Sequence, residues 1–369
     1  MACIWMDGFE IDFADNTAGI WTTITQLNTS TVSYVSTQKR TGSGALRVLS
    51  SANTKNGYLS QTLASSYTEV YGGFGLRWDN AQALAEGHGG LGVQLMEVVS
   101  SDATPQLSMT LDTATNVLRV YRGRPDSGVL LGSGVTGLTT NVWHYVEFHF
   151  VISDTVGVVQ LKVNGALDLD LSAQDTNVSA SNIKTISIGI TEGGGGVSSS
   201  KGASADLYFD DFVLNNTTGS VSNSWPNGAG IERLDPNADG SYTQWTSTGG
   251  AADSTEVDDV ATYGNLPDGN TTKLSHAVVG QRTSVALDAT TISGDVLAIM
   301  LLSNVMNSAA GADQMAQFVR TSSIDYDQTT FTPSTAYAWQ ADMMTLNPAT
   351  GVAWTTAELN NLELGWVVK

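Results

Sequence analysis

The chain of 369 residues holds a single cysteine, Cys3. An internal disulfide is therefore excluded, and with it a fold stapled for an oxidising compartment. Cations are also scarce: 16 Lys and Arg stand against 36 Asp and Glu, a net charge of −20. Phosphate backbones demand clustered Lys and Arg, so direct nucleic-acid binding is not expected. Docking on an anionic membrane surface is disfavoured for the same reason. Nothing approaches the ~20 apolar residues of a membrane helix. The opening Met-Ala-Cys-Ile-Trp-Met-Asp-Gly lacks the basic region and apolar run of a signal peptide. The sequons at Asn28, Asn177, Asn216 and Asn270 are then incidental, and cytoplasmic manufacture is the expectation.

Charged residues make up only 14%, whereas glycine alone contributes 38 positions. That balance suits an all-β protein with many turns better than a helical bundle. The length exceeds what one core usually fills, so two domains are expected.

The most informative stretch runs from Trp143 to Gly165. Val146, Phe148, Phe150 and Ile152 recur at period two, with His144 on the same face. Tyr145, Glu147 and His149 point the other way, a strand pattern. A second strand follows at once and ends in Asn164-Gly165, a tight-turn signal. Further strands are expected over Ala45–Ser51, Gly57–Leu63, Val70–Trp78, Leu91–Val99, Gln106–Leu111, Val117–Arg122, Ala166–Leu171, Ile183–Ile190 and Asp206–Leu214. The Gly/Ser-rich stretch from Glu192 to Ala205 reads as a loop.

The polar segment 217–230 reads as a linker, separating residues 1–216 from 231–369. Beyond it, strands are expected near Leu274–Val279, Thr283–Leu287, Val296–Leu302, Gln317–Arg320, Ala336–Leu346 and Leu362–Val368. Thr355-Thr-Ala-Glu358 reads as a capping box opening a short helix.

The first part resembles laminin-G-like and concanavalin-like jelly rolls. The resemblance is carried by Asp7-Gly-Phe-Glu10, the Trp143–Gly165 block and Tyr208-Phe-Asp-Asp-Phe-Val-Leu214. It implies an antiparallel jelly-roll β-sandwich followed by a second, smaller β-rich domain, with first and last strands paired. Lectins, carbohydrate-binding modules, glycanases and adhesive modules share that fold, so it sets no activity. The second part is similar to structural proteins of tailed bacteriophages, through Leu234–Trp245, Val257-Asp-Asp259, Asn347–Trp354 and Leu359–Gly365. It implies a non-enzymatic virion protein, assembled in the host cytoplasm and placed as a capsid decoration, fibre or tail component. Its partners would be other virion proteins, in a closed homo-oligomer such as a trimer. The alternative is an adhesin binding host surface glycan, and the third reading a laminarinase-like hydrolase.

Candidate chemistry is sparse. Glu10-Ile-Asp12 matches the start of the Glu-x-Asp-x-Glu strand of laminarinase-type glycosidases, but position 14 is Ala and Asp15 has the wrong parity. An edge-strand and turn motif is the favoured reading there. Asp7, Glu10, Asp210 and Asp211 could supply hard oxygen ligands to a structural calcium tying the first strand to the last. Carboxylates accepting backbone hydrogen bonds are the other reading, and no further cofactor is implied. Asp235-Pro-Asn-Ala-Asp-Gly240 matches half a calcium loop, yet its twelfth position is Thr246, so a turn is favoured. The four histidines, His88, His144, His149 and His276, show no metal-ligand spacing. No Gly-x-Ser-x-Gly elbow is present. Trp78, Tyr121, Trp143 and Tyr145 are candidates for a sugar-stacking platform, although most sandwich aromatics are core.

Overall fold

The computed structural model describes residues 2–11, 20–27, 30–50, 56–80, 92–112, 114–191, 205–260, 267–291, 293–308 and 313–369. The chain forms two compact units. The sandwich unit comprises Ala2–Phe9 and Trp21–Ile231; the C-terminal unit comprises Glu232–Lys369, joined by Glu10, Ile11 and Ile20.

The strands of the sandwich unit are β1 (Cys3–Asp7), β2 (Thr23–Gln26), β3 (Thr31–Val35), β4 (Ala45–Ser50), β5 (Gly57–Tyr67), β6 (Glu69–Asn80), β7 (Val93–Val99), β8 (Pro105–Asp112), β9 (Val117–Arg122), β10 (Val129–Ser133), β11 (His144–Val151), β12 (Gly157–Val163), β13 (Ala166–Gln174), β14 (Ile183–Ile190) and β15 (Ala205–Asn215). Among the described residues they make two antiparallel sheets. One runs β13-β12-β11-β6-β15-β4-β3, with β1 also on β15; the other runs β10-β9-β8-β7-β14-β5-β2. This is the jelly-roll sandwich expected, and β1 does pair with the unit's last strand. Strands β1, β2, β3 and β10 escape a periodicity reading because they are four or five residues long. Below about five residues, alternation has too few repeats to register.

Period-two alternation decides which side chains meet. Phe148 and Phe150 of β11, Phe74 and Leu76 of β6, and Phe209 of β15 are completely buried. Burial of each contributes about 1.5–3 kcal/mol.

β15 changes partner midway. Residues 205–209 pair with β4, whereas 212–215 pair with β1. The switch falls at a bulge holding Asp210 and Asp211, the latter at φ 51°. Bulges bend a strand and leave groups outside the ladder, and here carboxylates satisfy them. Segment 217–230, expected as a linker, lies within the sandwich unit. Its Asn227 N–H donates to Glu147 Oε1 at 2.7 Å, and its Ser224 carbonyl accepts from Asn215.

In the C-terminal unit the strands are β16 (Pro236–Thr243), β17 (Thr246–Ser247), β18 (Leu274–Ser275), β19 (Arg282–Leu287), β20 (Ile299–Val305), β21 (Met315–Thr321), β22 (Ile324–Asp327), β23 (Ala338–Met344) and β24 (Glu363–Val368). A five-stranded sheet runs β16-β19-β24-β21-β22. Its core gathers Val285, Val319, Trp354, Leu359 and Trp366. The capping box forms as expected at helix α1 (Thr356–Leu359): Glu358 N–H donates to Thr355 Oγ1, and Thr355 N–H donates to Glu358 Oε2. Asp235–Gly240 proves to be neither calcium loop nor turn, because residues 236–243 form edge strand β16 on β19. There Asp239 accepts from the backbone and hydroxyl of Ser254.

Candidate functional site

The chemistry-bearing residues of the sandwich unit collect on the face of the larger sheet turned away from the core. Strand register lays them out in cross-strand rows. One row runs Asp170, Gln160, His149, Tyr71; the next Lys162, Glu147, Gly73; the third Tyr145, Gly75, Asp210. Gly73 and Gly75 keep the floor of β6 bare. A Cβ on Gly73 would sit 2.8 Å from the Tyr145 ring, and one on Gly75 would sit 2.9 Å from Arg40 Cδ. The bare floor thus lets Tyr145 and Arg40 lie close against the sheet.

Arg40 organises this region. Its guanidinium stands 4.4 Å above the centre of the Tyr145 ring. Nη1 donates to Asp211 Oδ2 at 2.5 Å and to the Ala229 carbonyl at 2.8 Å, and Nη2 donates to the Gly228 carbonyl at 2.9 Å. Asp211 also accepts from Thr41 Oγ1 and the Ile231 N–H. Asp210 accepts from the N–H groups of Arg40, Thr41 and Asp211. Burial and the neighbouring carboxylate push Asp210 up, and burial pushes Asp211 up against the pull of Thr41 and Arg40. Burial likewise raises Glu147, held down in part by the N–H of Asn227. The second oxygen of Glu147, Oε2, has no hydrogen-bond partner among the described residues.

A cavity of about 360 Å³ opens beside this assembly, lined by Arg40, Trp143, Tyr145, Asn164, Gly165, Asn227 and Gly228. Ligand pockets span roughly 300–1,000 Å³, so it lies at the small end. Two Asn-Gly pairs frame it. Asn164 and Gly165 have φ of 52° and 81°, Asn227 and Gly228 of 54° and 74°. Asn and Gly adopt this region most readily. The Asn164 amide is locked, its Oδ1 accepting the Tyr145 N–H while Nδ2 donates to His144 Nδ1. The Asn227 side chain is exposed. Trp143 is half-buried, and its indole N–H has no partner among the described residues.

Of the four sugar-platform candidates, the structure corrects two outright. Trp78 is buried on the core side of β6, against His144, and Tyr121 is buried as well. Neither can present a face to a ligand. Tyr145 is buried under Arg40 and offers the cavity only an edge of its wall. Of the four, Trp143 alone is not buried, and it lines the cavity.

Of the calcium candidates, Asp7, Asp210 and Asp211 are each engaged by donors of the chain itself. No group of three or more His, Cys, Asp or Glu able to hold a metal occurs among the described residues. Asp7 accepts instead from the Phe9 N–H at 2.7 Å and Trp21 Nε1 at 2.6 Å. Asp210 and Asp211 are engaged as above, and Glu10 belongs to the other unit. A regular strand would turn Asp210 and Asp211 to opposite faces, whereas the bulge turns both onto donors of Arg40 and Thr41. Of the glycosidase match, Asp12, Ala14 and Asp15 lie outside the described residues, as do His88 and the Gly193–Gly196 stretch.

His149 stacks on Tyr71 at 3.9 Å and bonds Glu69 and Gln160 through its two nitrogens. Trp225 stands edge-on to that stack, and Lys162 Nζ lies 4.0 Å over its ring. Lys162 thereby covers one face of the Trp225 ring. Sequence reasoning missed Arg40 and Asn227, which lie far apart in the chain. The repeated Asn-Gly dipeptide at 227–228 was the one available signal.

No protein-family model matches the chain, and no curated protein matches it. Solved structures of similar architecture include an endo-β-1,4-glucuronan lyase from the fungus Trichoderma reesei, at TM-score 0.43 and 14% identity over 54% of this chain and 94% of that one. Alginate lyase Aly36B is similar at TM-score 0.38 and 17% identity, over 57% of this chain and 97% of its own. The carbohydrate-binding module CBM66 from Bacillus subtilis follows at TM-score 0.34 and 11% identity, over 54% and 98%. At such identities the likeness concerns architecture. The expectation of a non-enzymatic chain is nonetheless corrected, since two of these three neighbours are named as lyases. An architecture shared with lyases is no ground for excluding catalysis.

Proposed function

We propose that the sandwich unit binds carbohydrate at the cavity between the two Asn-Gly turns. The observation that carries this reading is Trp143, a half-buried indole lining a small polar cavity, whose N–H has no partner among the described residues. Flat rings stack on pyranose faces, and a polar tip suits a wet site. The exposed Asn227 amide, with a donor and an acceptor, would read a sugar hydroxyl pair.

The test is isothermal titration of the full chain against a broad oligosaccharide panel, repeated with Trp143→Ala. Binding by the native chain should weaken about tenfold or more in the variant, with an unchanged melting temperature. Absence of binding to every member of the panel would sink the reading.

A place on a phage virion is a second proposal, resting on the resemblance carried by Leu234–Trp245, Val257-Asp-Asp259, Asn347–Trp354 and Leu359–Gly365. A glycan-binding sandwich on a virion would serve host attachment, in contact with other virion proteins and as a homo-oligomer. Mass spectrometry of purified virions checks the location, and light scattering checks the oligomer.

A further inference from the structure

We infer that the cavity selects an uncharged sugar and rejects acidic ones, an inference that rests on the carbohydrate reading above. Recognition of a uronate or sulfate group calls for a cation with charge to spare, in most cases a bidentate Arg. Six of the seven lining residues, Trp143, Tyr145, Asn164, Gly165, Asn227 and Gly228, are neutral. The seventh, Arg40, is already neutralised.

Its Nη1 lies 2.5 Å from Asp211 Oδ2, and that carboxylate is fully buried. Two further donors are spent on the Ala229 and Gly228 carbonyls. The guanidinium plane is covered on one side by Tyr145. Rotating Arg40 toward a ligand would strand Asp211 as an unpaired buried charge, at a cost far above what a surface ion pair returns. Asp210 lies next in the same bulge, so the surroundings behind Arg40 are carboxyl-rich.

Further cations on this face include Arg77, next along β6 from the Leu76–His144 pair, which is paired with Asp79 at 2.9 Å and donates to the Asn141 carbonyl, and Lys162, two residues before Asn164. Its ammonium sits over the Trp225 ring, and Lys162 is not among the lining residues. Glu147, across the ladder from Lys162, adds another carboxyl under the 225–228 segment. A carboxylate entering the cavity would therefore shed water with no unengaged cation among the lining residues to meet it. Hydroxyl groups meet the Asn227 amide and the indole N–H.

The experiment uses pairs of tetrasaccharides differing only in oxidation at C6: gluco against glucurono, manno against mannurono, galacto against galacturono. The full chain is titrated with each at low and moderate salt. Within any pair that binds, the neutral member should bind about tenfold or more tightly, with little salt dependence. Equal or tighter binding of the uronate member overturns this inference and leaves the carbohydrate reading standing. No binding to any member overturns both.

Asn227→Lys provides the converse test, placing a free cation at the cavity rim. In a variant of unchanged melting temperature, the gap between paired members should narrow at least about threefold. A gap of unchanged width would overturn charge as the cause.

Discussion

The guanidinium of Arg40 lies flat over the ring of Tyr145, 4.4 Å from its centre, with its positive charge turned onto Asp211. One side chain thereby joins the loop before β4, the bulge of β15, the outer face of β11 and the carbonyls of residues 228 and 229. Arg40→Met should expose the consequence. It leaves Asp211 buried without its counter-charge, which costs about 3–5 kcal/mol. Urea unfolding of the full chain measures it. Asp211→Asn in the same chain should recover part of the loss through coupling of about 0.5–3 kcal/mol. Strictly additive effects would show that the pair is not a unit.

Gly73 makes a sharper test of the site. A Cβ there would meet the Tyr145 ring at 2.8 Å and its hydroxyl at 2.9 Å. Gly73→Ala must push Tyr145 off the sheet, and Arg40 with it. Overpacking of this kind costs about 1–3 kcal/mol. Glycan binding should fall further than stability, because the cavity wall moves. A variant that loses stability but keeps native affinity would detach Tyr145 from the site.

Asp7 titrates in an accessible range. Burial raises its carboxyl from 3.8 to about 6, against the pull of the Phe9 and Trp21 donors. The folded chain thus holds this proton more tightly than the unfolded chain. Its stabilising contribution is complete below about pH 4 and is lost as pH rises through about 6. Two units correspond to about 3 kcal/mol. Asp7→Asn removes the titration, so native and variant stabilities should converge or diverge only within that window. A difference independent of pH between 4 and 7 would refute the assignment. Asn also brings an amide against the Trp21 N–H, a fixed cost of about 1–3 kcal/mol.

Ser303 in the C-terminal unit holds two buried donors at once. Gln317 Nε2 and Trp366 Nε1 both donate to its hydroxyl at 2.6 Å. Ser303→Ala should cost about 1–3 kcal/mol by leaving both unsatisfied. Thermal unfolding should show it, and a loss below 0.5 kcal/mol would mean the donors find other acceptors.

Much of the sandwich was legible in residue order. Val146, Phe148 and Phe150 alternate with Tyr145, Glu147 and His149, and the structure buries the first set in the core and turns the second outward. The capping box at Thr355–Glu358 needed only four residues, and it formed. The site was harder. Trp143 was among the aromatic candidates, but so were Trp78 and Tyr121, and all three sit in or beside strand-like sequence. Parity separates Trp78 from the outer face only once β6 is registered against β11.

Sequence by itself determined the all-β class, the two-sided character of β11 and the tight turn at Asn164-Gly165, because each depends on neighbours in the chain. Tertiary structure decided the rest. Asp211 and Gly228 lie 171 and 188 positions beyond Arg40, and no local preference of φ or period encodes their meeting. In sequence, Asp210 and Asp211 read either as calcium ligands or as acceptors of backbone hydrogen bonds. The bulge where β15 exchanges β4 for β1 turned them onto backbone donors and a guanidinium, since a buried carboxylate is stable only where donors converge on it.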